Sequence, residues 1–332
     1  MHPAFQAVLT IVVGVGGCIG YFYFANLVLD KVLFPARGPQ AGRNINRANM
    51  IRPWLFLLPA LIALGLYLAY PVFATLWLSL HDKTGETFVG GANYAQMMTE
   101  AKFWESMRSN ALWLVVVPAA STAFGLLAAQ LTDRIWWGSI AKSLIFMPMA
   151  ISFVGASVIW KLIYDVRPAG TDQIGILNAV YLALGGDAPQ QWLQIPFWNN
   201  FFLMAVLVWI QSGFAMVILS AALRGVPEDT IEAAILDGAN PFQIFFKIKV
   251  PQIMGTIIVV WTTITIVVLK VFDIVRAMTN GQWESQVLAN YMYDKLFTAS
   301  DWGVGSAAAM VIMALVTPIL VWNVYNARKE MR

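Results

Sequence analysis

The chain has 332 residues, of which 59% are hydrophobic and only 12% are charged. Soluble domains carry about 25% charged residues, so a fully water-facing surface is excluded and much of the surface must contact lipid. A single cysteine, Cys18, excludes an internal disulfide and a zinc site built on cysteine ligands. The two histidines do not pair inside an apolar segment, so a haem-bearing membrane enzyme is not expected, and no metal site is predicted.

Apolar segments of spanning length dominate the chain. A helix needs about 20 mostly apolar residues to cross a bilayer, and seven segments meet this requirement. They predict an all-α, polytopic membrane helix bundle with about seven transmembrane helices, near 4–29, 54–80, 111–132, 140–163, 200–223, 251–274 and 304–326. Prolines recur inside these spans, where they indicate either ordinary kinked packing or bends that open a path for solute.

Charge placement predicts the orientation. The first segment has no charge before Asp30 and its first basic residue is Lys31, whereas a signal peptide has basic residues before its apolar core. We therefore expect a retained span with the N-terminus outside and the C-terminus in the cytoplasm. In this topology 13 of the 21 basic residues lie on the cytoplasmic side, as the positive-inside rule requires. The densest basic tract, 36–53, is expected to be a cytoplasmic linker.

The segment between the fifth and sixth spans, residues 224–251, is unlike its surroundings and is here named the coupling loop. Pro227 suits a first helical position, and Glu228 with the next acidic residue suits the positive end of the helix dipole. A short helix is expected to end near Leu236, with Gly238 as a left-handed stop. Asn240 suits the cap of a second helix that begins at Pro241, and Pro251 is expected to begin the next span.

Side-chain spacing gives both short helices of the coupling loop an interaction face. Ile231, Ala234 and Ile235 share one face of the first helix, while Glu232 lies on another. On the second helix the pattern predicts a stripe of three phenylalanines and a lysine: Phe242, Phe245, Phe246 and Lys249. Two short helices of this kind suit insertion into a groove on another protein, where aromatic side chains anchor and charges set the register.

The spacing within this loop resembles the EAA loop of membrane subunits in type I ATP-binding-cassette importers. That pattern is Glu-Ala-Ala, three residues, Gly, nine residues, then Ile-x-Leu-Pro, and the chain departs from it only in Val250. Matching positions are Glu232, Ala233, Ala234, Gly238, Ile248 and Pro251, and Phe242 extends the match toward the maltose and α-glucoside branch. The resemblance covers about 54–326, the importer transmembrane domain. It leaves 1–35 as an additional N-terminal helix and 327–332 as a cytoplasmic tail.

The resemblance implies a permease subunit in a bacterial inner membrane that imports a sugar or oligosaccharide, with an α-glucoside such as maltose, trehalose or sucrose the best candidate. Its implied partners are a second permease subunit, an ATP-binding-cassette ATPase dimer and an extracytoplasmic solute-binding protein, besides the lipid bilayer. In the family the glutamate matching Glu232 meets a basic residue of the ATPase. The chain has no Gly-x-x-x-x-Gly-Lys-Ser/Thr loop, so ATP binding and hydrolysis are assigned to the partner. A permease subunit of this kind is expected to have no enzymatic activity, no cofactor and no nucleic-acid partner of its own.

Candidate substrate-path residues lie on the fifth and sixth spans, because a sugar site combines amides, hydroxyls and aromatic rings. The fifth span offers Gln211, Ser212, Trp209 and Phe214. The alternative for the first two is an interhelical hydrogen bond. The sixth offers Lys270, Phe272 and Asp273. Since Lys270 and Asp273 are three residues apart, we expect them to share a helix face, either lining the path or forming an interfacial ion pair with a snorkelling lysine.

Tryptophans in the predicted outer loops are interpreted as membrane-interface anchors or as a docking surface for a solute-binding protein. They are Trp104, Trp192, Trp198, Trp283 and Trp302. A secondary transporter or channel remains the alternative function, although the chain shows no internal repeat of the kind common in such transporters.

Overall fold

The computed structural model describes residues 3–37, 40–133 and 135–330. Within these ranges, 5 helices are long and apolar enough to cross a membrane, and the number rises to 7 if each of two bent helix pairs is one span. The predicted all-α bundle of about seven spans is therefore confirmed. The tail is predicted at 327–332, and its last two residues, 331 and 332, lie outside the described residues.

The chain divides into two compact units, and the first ends at Ala74. It contains α1 (Pro3–Leu27) with a π-helical extension (Val28–Leu33), α2 (Ala41–Leu64), a π-helical turn (Gly65–Ala69) and the start of α3 (Tyr70–Ser79). The Tyr21 hydroxyl donates to the Leu55 carbonyl oxygen at 2.8 Å, and Arg52 Nη2 lies 2.6 Å from Asp30 Oδ1. The tract 36–53, expected as a linker, is helical from Ala41 onward, so the second span begins earlier than predicted.

The second unit runs from Thr75 to the C-terminus. Its remaining helices are α4 (Ala92–Thr99), α5 (Ala101–Thr132), α6 (Gly138–Phe146), α7 (Phe153–Ile163), α8 (Ile176–Ala183), α9 (Asn199–Arg224), α10 (Glu228–Leu236), α11 (Pro241–Ile244), α12 (Val250–Gln252), α13 (Met254–Leu269), α14 (Asp273–Met278), α15 (Leu288–Tyr293) and α16 (Trp302–Glu330). Turns of 3-10 helix occupy Met147–Ala150 and Trp192–Gln194, and π-helical turns occupy Phe245–Lys249 and Asp294–Thr298.

Close packing of α5 against α9 forms the centre of this unit. A methyl group placed on Gly125 of α5 would lie 2.4 Å from the Ala215 Cβ and 2.8 Å from the Met216 backbone nitrogen. Gly213 of α9 approaches α6 in the same way, since a methyl group there would lie 2.6 Å from the Ile145 carbonyl oxygen. Small residues let helix backbones come this close in membranes, and they therefore fix the positions of α5, α6 and α9.

Two predicted spans are not single straight helices. The fourth, 140–163, breaks after the 3-10 turn Met147–Ala150, and the two parts differ in direction by 106°. Pro148 lacks a backbone donor, which favours the break, and Ser152 then caps α7 by accepting from the Gly155 backbone nitrogen at 3.1 Å. The sixth, 251–274, is shortened at both ends to α13.

Candidate coupling loop and transport path

The first helix of the coupling loop follows α9 almost directly. Gly225 ends α9, and α10 begins at Glu228, one residue later than predicted, with Pro227 in the capping position. Glu228 and Asp229 lie in the first turn of α10, where the partial positive charge of the helix end favours carboxylates. The predicted end at Leu236 is confirmed.

The turn between the two loop helices is fixed by its own hydrogen bonds. Gly238 has φ +80°, a conformation that glycine adopts without steric cost, and the Ala239 backbone nitrogen donates to the Ala234 carbonyl oxygen at 2.9 Å. Asn240 Oδ1 accepts from the Gln243 backbone nitrogen, and Gln243 Oε1 accepts from the Asn240 backbone nitrogen, both at 2.9 Å. This reciprocal capping box confirms the predicted glycine stop and asparagine cap.

The exposed side of the coupling loop combines large apolar side chains with acidic ones, including Glu232 and Asp237. Ile235 and Leu236 are 57% and 88% exposed, and Phe242 and Phe246 are 76% and 62% exposed. These four side chains are named the coupling patch, and Glu232 and Ala233 are exposed on the same helix as the first two.

The predicted faces are only partly correct. Ile231 packs against the core and Ala234 is buried, whereas Ile235 points outward. Phe245, Ile248 and Lys249 are half-buried, so only Phe242 and Phe246 of the predicted stripe are exposed.

A sharp bend connects the coupling loop to the next span. The helical run Pro241–Gln252 meets α13 at 71°. Pro251 lies inside the loop helix, which corrects its predicted position at the start of the span, and buried Ile253 occupies the bend. Because Ile244 and Ile253 are both buried, the second loop helix is anchored at each end.

On the fifth span, the structure separates the candidate path residues. Ser212 borders an apolar cavity of about 620 Å³ between α5, α6 and α9, and its hydroxyl donates to the Val208 carbonyl oxygen at 2.6 Å. Gln211 is buried without a side-chain hydrogen bond to any described residue, so the interhelical bond considered for it is not made within the described part of this chain. Phe214 packs against the core. Trp209 and Phe201 also line the cavity. Phe201 was missed because apolar periodicity does not distinguish a cavity wall from lipid contact.

The prediction that Lys270 and Asp273 share a helix face is wrong. The sixth span ends at Leu269, and a new helix begins at Asp273. The intervening Phe272 has φ −141° and ψ −57°, which is not helical. No ion pair joins Lys270 and Asp273 among the described residues.

Lys270 and Phe272 nevertheless line one cavity, of about 340 Å³, whereas Asp273 does not. Its wall includes Tyr293, whose ring centre lies 5.2 Å from that of Phe272. The Arg276 guanidinium lies 4.5 Å from the Tyr293 ring centre and pairs with Asp294 at 2.8 Å. Such an aromatic wall with charged neighbours is suited to a polar ring-shaped ligand. Phe272 and Tyr293 lie on segments that are far apart in the sequence, so sequence spacing gave no signal of this wall.

A polar clamp joins three helices near the start of the coupling loop. The Lys142 ammonium group on α6 pairs with Asp133 and donates to the Ser220 hydroxyl of α9 at 2.7 Å. Ser220 in turn donates to Asp133 Oδ1 at 2.9 Å. The two charged side chains are only 21% and 19% exposed, so the clamp ties the end of α9 to its neighbours.

The helix bundle, the bent loop helices and the exposed patch together are typical of a membrane transport permease, and comparison with known proteins confirms this class. Residues 121–331 match the family described as binding-protein-dependent transport system inner membrane component. The match covers more than half of the chain, so the chain belongs to this family, as the loop pattern predicted.

Individual relatives lie among transport permeases. The chain is 64% identical over 334 residues to the α-glucoside transport system permease protein AglF of Rhizobium meliloti (strain 1021), covering 99% of both chains. It is 46% identical over 280 residues to the osmoprotective compounds uptake permease protein GgtC of Synechocystis sp., covering 84% of this chain and 100% of that one. A crystal structure of a bacterial alginate ABC transporter with its pentasaccharide-bound periplasmic protein matches with a TM-score of 0.72 at 17% identity, covering 88% of this chain and 99% of that chain. This likeness shows a shared fold.

Proposed function

We propose that the chain is a path-forming permease subunit of an ATP-driven importer of α-glucosides, working with a second permease, an ATPase dimer and an extracytoplasmic solute-binding protein. The coupling patch beside Glu232 carries the proposal. Four large apolar side chains exposed at one end of a membrane bundle favour a protein partner, and an acidic residue beside them supplies register. The substrate class is supported by the AglF relative and by a trehalose/maltose transport system permease protein MalF of Thermococcus litoralis, 29% identical over 269 residues.

The loop would act as a rigid transmitter. Its capping box and left-handed glycine fix the angle between the two loop helices, and the polar clamp fixes the end of α9. Closure of the ATPase dimer on ATP would therefore move the loop and the attached ends of α9 and α13 together, as in other rigid-body switches. In this proposal ATP hydrolysis belongs to the partner, and Glu232 anchors the ATPase without catalysing a step.

Charge reversal at Glu232 tests the anchor. In proteoliposomes containing the full complex, Glu232→Lys should lower ATP-dependent uptake of labelled maltose, trehalose or sucrose by at least about tenfold, because removing one desolvated interface charge costs about 2–5 kcal/mol. Glu86→Lys makes the same charge change in an exposed turn outside the coupling loop and should leave uptake unchanged. Undiminished uptake by Glu232→Lys at normal subunit levels would contradict the docking role.

Co-purification separates the importer from a secondary transporter or channel. The detergent-solubilised complex should retain its ATPase subunit, and Phe242→Ala with Phe246→Ala should release it, because buried aromatic anchors dominate helix-in-groove interfaces. Uptake that persists without ATPase would favour the alternative function.

The substrate path is proposed to include Ser212 on the cavity beside α9, together with Lys270 and Phe272 on the second cavity. Gln211 and Phe214 lie on the same helix as Ser212 but do not line the first cavity, and Asp273 begins the helix that follows Phe272. Gln211→Ala and Lys270→Ala should change the concentration dependence or sugar preference of uptake without changing assembly. Unaltered kinetics in both variants would remove these residues from the path.

The proposed orientation places the chain in the bacterial inner membrane with the N-terminus outside and the coupling loop in the cytoplasm. A short epitope fused to the N-terminus should react with antibody in intact spheroplasts, and an epitope at the C-terminus should react only after the membrane is opened. The reverse pattern would refute this topology.

A further inference from the structure

A crevice lies at the end of α9 opposite the coupling loop. It encloses about 310 Å³ and is lined by the first turns of α5, the segment before α9 and the turn before α15: Trp104, Glu105, Arg108, Ser109, Leu112, Phe197, Asn200 and Glu284. The 26 residues of α9 extend about 39 Å at 1.5 Å per residue. The crevice and the coupling loop therefore lie on opposite membrane faces.

Strained backbone builds the crevice. Phe197, Trp283 and Glu284 have φ of 67°, 54° and 62°, a left-handed conformation that is uncommon for residues other than glycine and costs about 1–2 kcal/mol each. Fully buried Asn199 donates to the Trp283 carbonyl oxygen at 2.6 Å, and Asn200 donates to the Glu284 carbonyl oxygen at 3.0 Å. Strain that the surroundings maintain in this way is concentrated at functional sites.

The crevice presents polar groups that have no partner within the described chain. Ser109 is 5% exposed and lines the crevice, yet its hydroxyl makes no hydrogen bond to a described residue. The Arg108 guanidinium lies 5.1 Å from the Phe197 ring centre, and neither it nor the Glu284 carboxylate forms an ion pair among the described residues. Among the described residues, the buried Ser109 hydroxyl thus has no partner, while the Glu284 carboxylate is exposed without an ion pair and the exposed Arg108 guanidinium makes only its contact with the Phe197 ring.

An aromatic surface completes the site. Trp104 is 55% exposed, and its indole nitrogen donates to the Met98 carbonyl oxygen at 2.8 Å, which holds the ring in place. A fixed aromatic face beside hydrogen-bonding groups suits a ligand with an apolar ring face and hydroxyls at its edge.

Charge balance selects a neutral ligand. An anion would meet Arg108 but also the carboxylates of Glu105 and Glu284, and a cation would meet the guanidinium. Glu105 is already paired with Lys102 at 3.1 Å, which leaves one positive and one negative group unpaired. Ligand pockets begin at about 300 Å³, so the volume suits a small sugar.

We infer that this crevice is an outer subsite for a neutral mono- or disaccharide, separate from the cavity at Ser212 and the cavity at Lys270; the inference rests on the proposed import function. The subsite would receive the sugar on the face opposite the ATPase. Trp104 stacks on the sugar ring, while Arg108, Ser109 and Glu284 bind its hydroxyls.

Protection of an introduced thiol tests the subsite directly. The single cysteine, exposed Cys18, is first replaced by alanine, and Leu112→Cys then places one thiol on the crevice wall at a residue with no assigned role in binding. In the reconstituted complex, maltose, trehalose or sucrose should slow maleimide labelling, by about tenfold at ten times the dissociation constant, whereas glucuronate should not. Glu284→Cys is the second labelling position, and Ala183→Cys on α8, an exposed position outside both the crevice and the coupling loop, is the unprotected control.

Trp104→Ala should raise the sugar concentration that gives half protection by about tenfold or more. Trp104→Phe should restore protection to within about twofold, and Trp302→Ala, which removes an exposed indole outside the crevice, should have no effect.

Uptake by the parent complex separates the two proposals. Normal ATP-dependent uptake with no protection at either thiol would overturn the subsite and leave the import function standing. Absence of uptake would overturn the import function. Protection by glucuronate in preference to neutral sugars would overturn the neutral ligand class.

Discussion

Adding one methyl group at Gly125 should separate the two central helices. The new Cβ would lie 2.4 Å from the Ala215 Cβ and 3.0 Å from the Ala215 carbonyl carbon. Carbon atoms are in contact at about 3.5–4.0 Å, so α5 and α9 must move apart by about 1 Å. Overpacking of this kind costs about 1–3 kcal/mol, although alanine is otherwise about 0.5–1 kcal/mol better than glycine in a helix. We expect Gly125→Ala to destabilise the fold by about 1–2 kcal/mol.

The measurement is the thermal unfolding midpoint of the detergent-solubilised complex, with uptake measured in parallel. Gly17→Ala is the matched control, because a methyl group there meets no atom within 4 Å, and it should leave the midpoint equal or slightly raised. Ala215→Gly in the Gly125→Ala background removes the shortest contact but leaves the 2.8 Å approach to the Met216 backbone nitrogen. It should therefore restore only part of the loss. An unchanged midpoint for Gly125→Ala, or no coupling between the two substitutions, would refute the close packing.

Three further predictions concern polar contacts. Asn240→Ala should remove the cap of the second loop helix, which costs about 1 kcal/mol, and should raise the number of ATP molecules hydrolysed per sugar imported. Asn240→Asp keeps a capping oxygen and should retain coupling. The same ratio of ATP to sugar in both variants would contradict a rigid loop. Lys142→Met should lower the free energy of unfolding by about 1–2 kcal/mol, between the values for exposed and buried ion pairs. Exchanging the two charges, as Lys142→Asp with Asp133→Lys, should recover part of the thermal unfolding midpoint. Partial burial opposes ionisation of Asp82, but hydrogen-bond donors from Thr84, Thr87, Glu86 and Gly85 outweigh it and lower the pKa of Asp82 to about 2 from 3.8. The ionised carboxylate should therefore stabilise the 82–87 turn at neutral pH, and this stabilisation should be lost as pH falls from about 4 through 2. Hydrogen exchange of the Glu86 and Thr87 amides would show the loss, and Asp82→Asn should abolish the pH dependence.

Local chemistry predicted the coupling loop well because its structure depends on neighbours in the sequence. Gly238 adopts the left-handed turn and Asn240 caps the next helix, as their residue types indicated. Both interactions close within four residues, so no tertiary information is needed. The inward packing of Ala234 and the outward position of Ile235 depend on tertiary contacts, which a helical wheel does not contain.

Apolar composition predicted the number of spans but not their breaks. A window of hydrophobic residues is the same whether the helix is straight or turns by 106° after Pro148. The expected pairing of Lys270 with Asp273 failed for the same reason, since it assumed a helix that ends at Leu269. Interrupted backbone at membrane depth is tolerated where protein or a water-filled cavity surrounds it, and Lys270 and Phe272 do line a cavity.

The same helix links the sites proposed here. α9 begins at buried Asn199 and Asn200, which hold the crevice, lines a cavity at Ser212 and ends at Gly225 before the coupling loop. Gly125 and Gly213 fix its middle against α5 and α6, and Ser220 fixes its last turns to the polar clamp. Because close-packed interiors transmit strain and deform little, a movement of the coupling loop reaches the crevice as a displacement of the whole helix. Gly213→Ala, whose methyl group would push the middle of α9 away from α6, should therefore uncouple ATP hydrolysis from uptake while the ATPase and the solute-binding protein still bind.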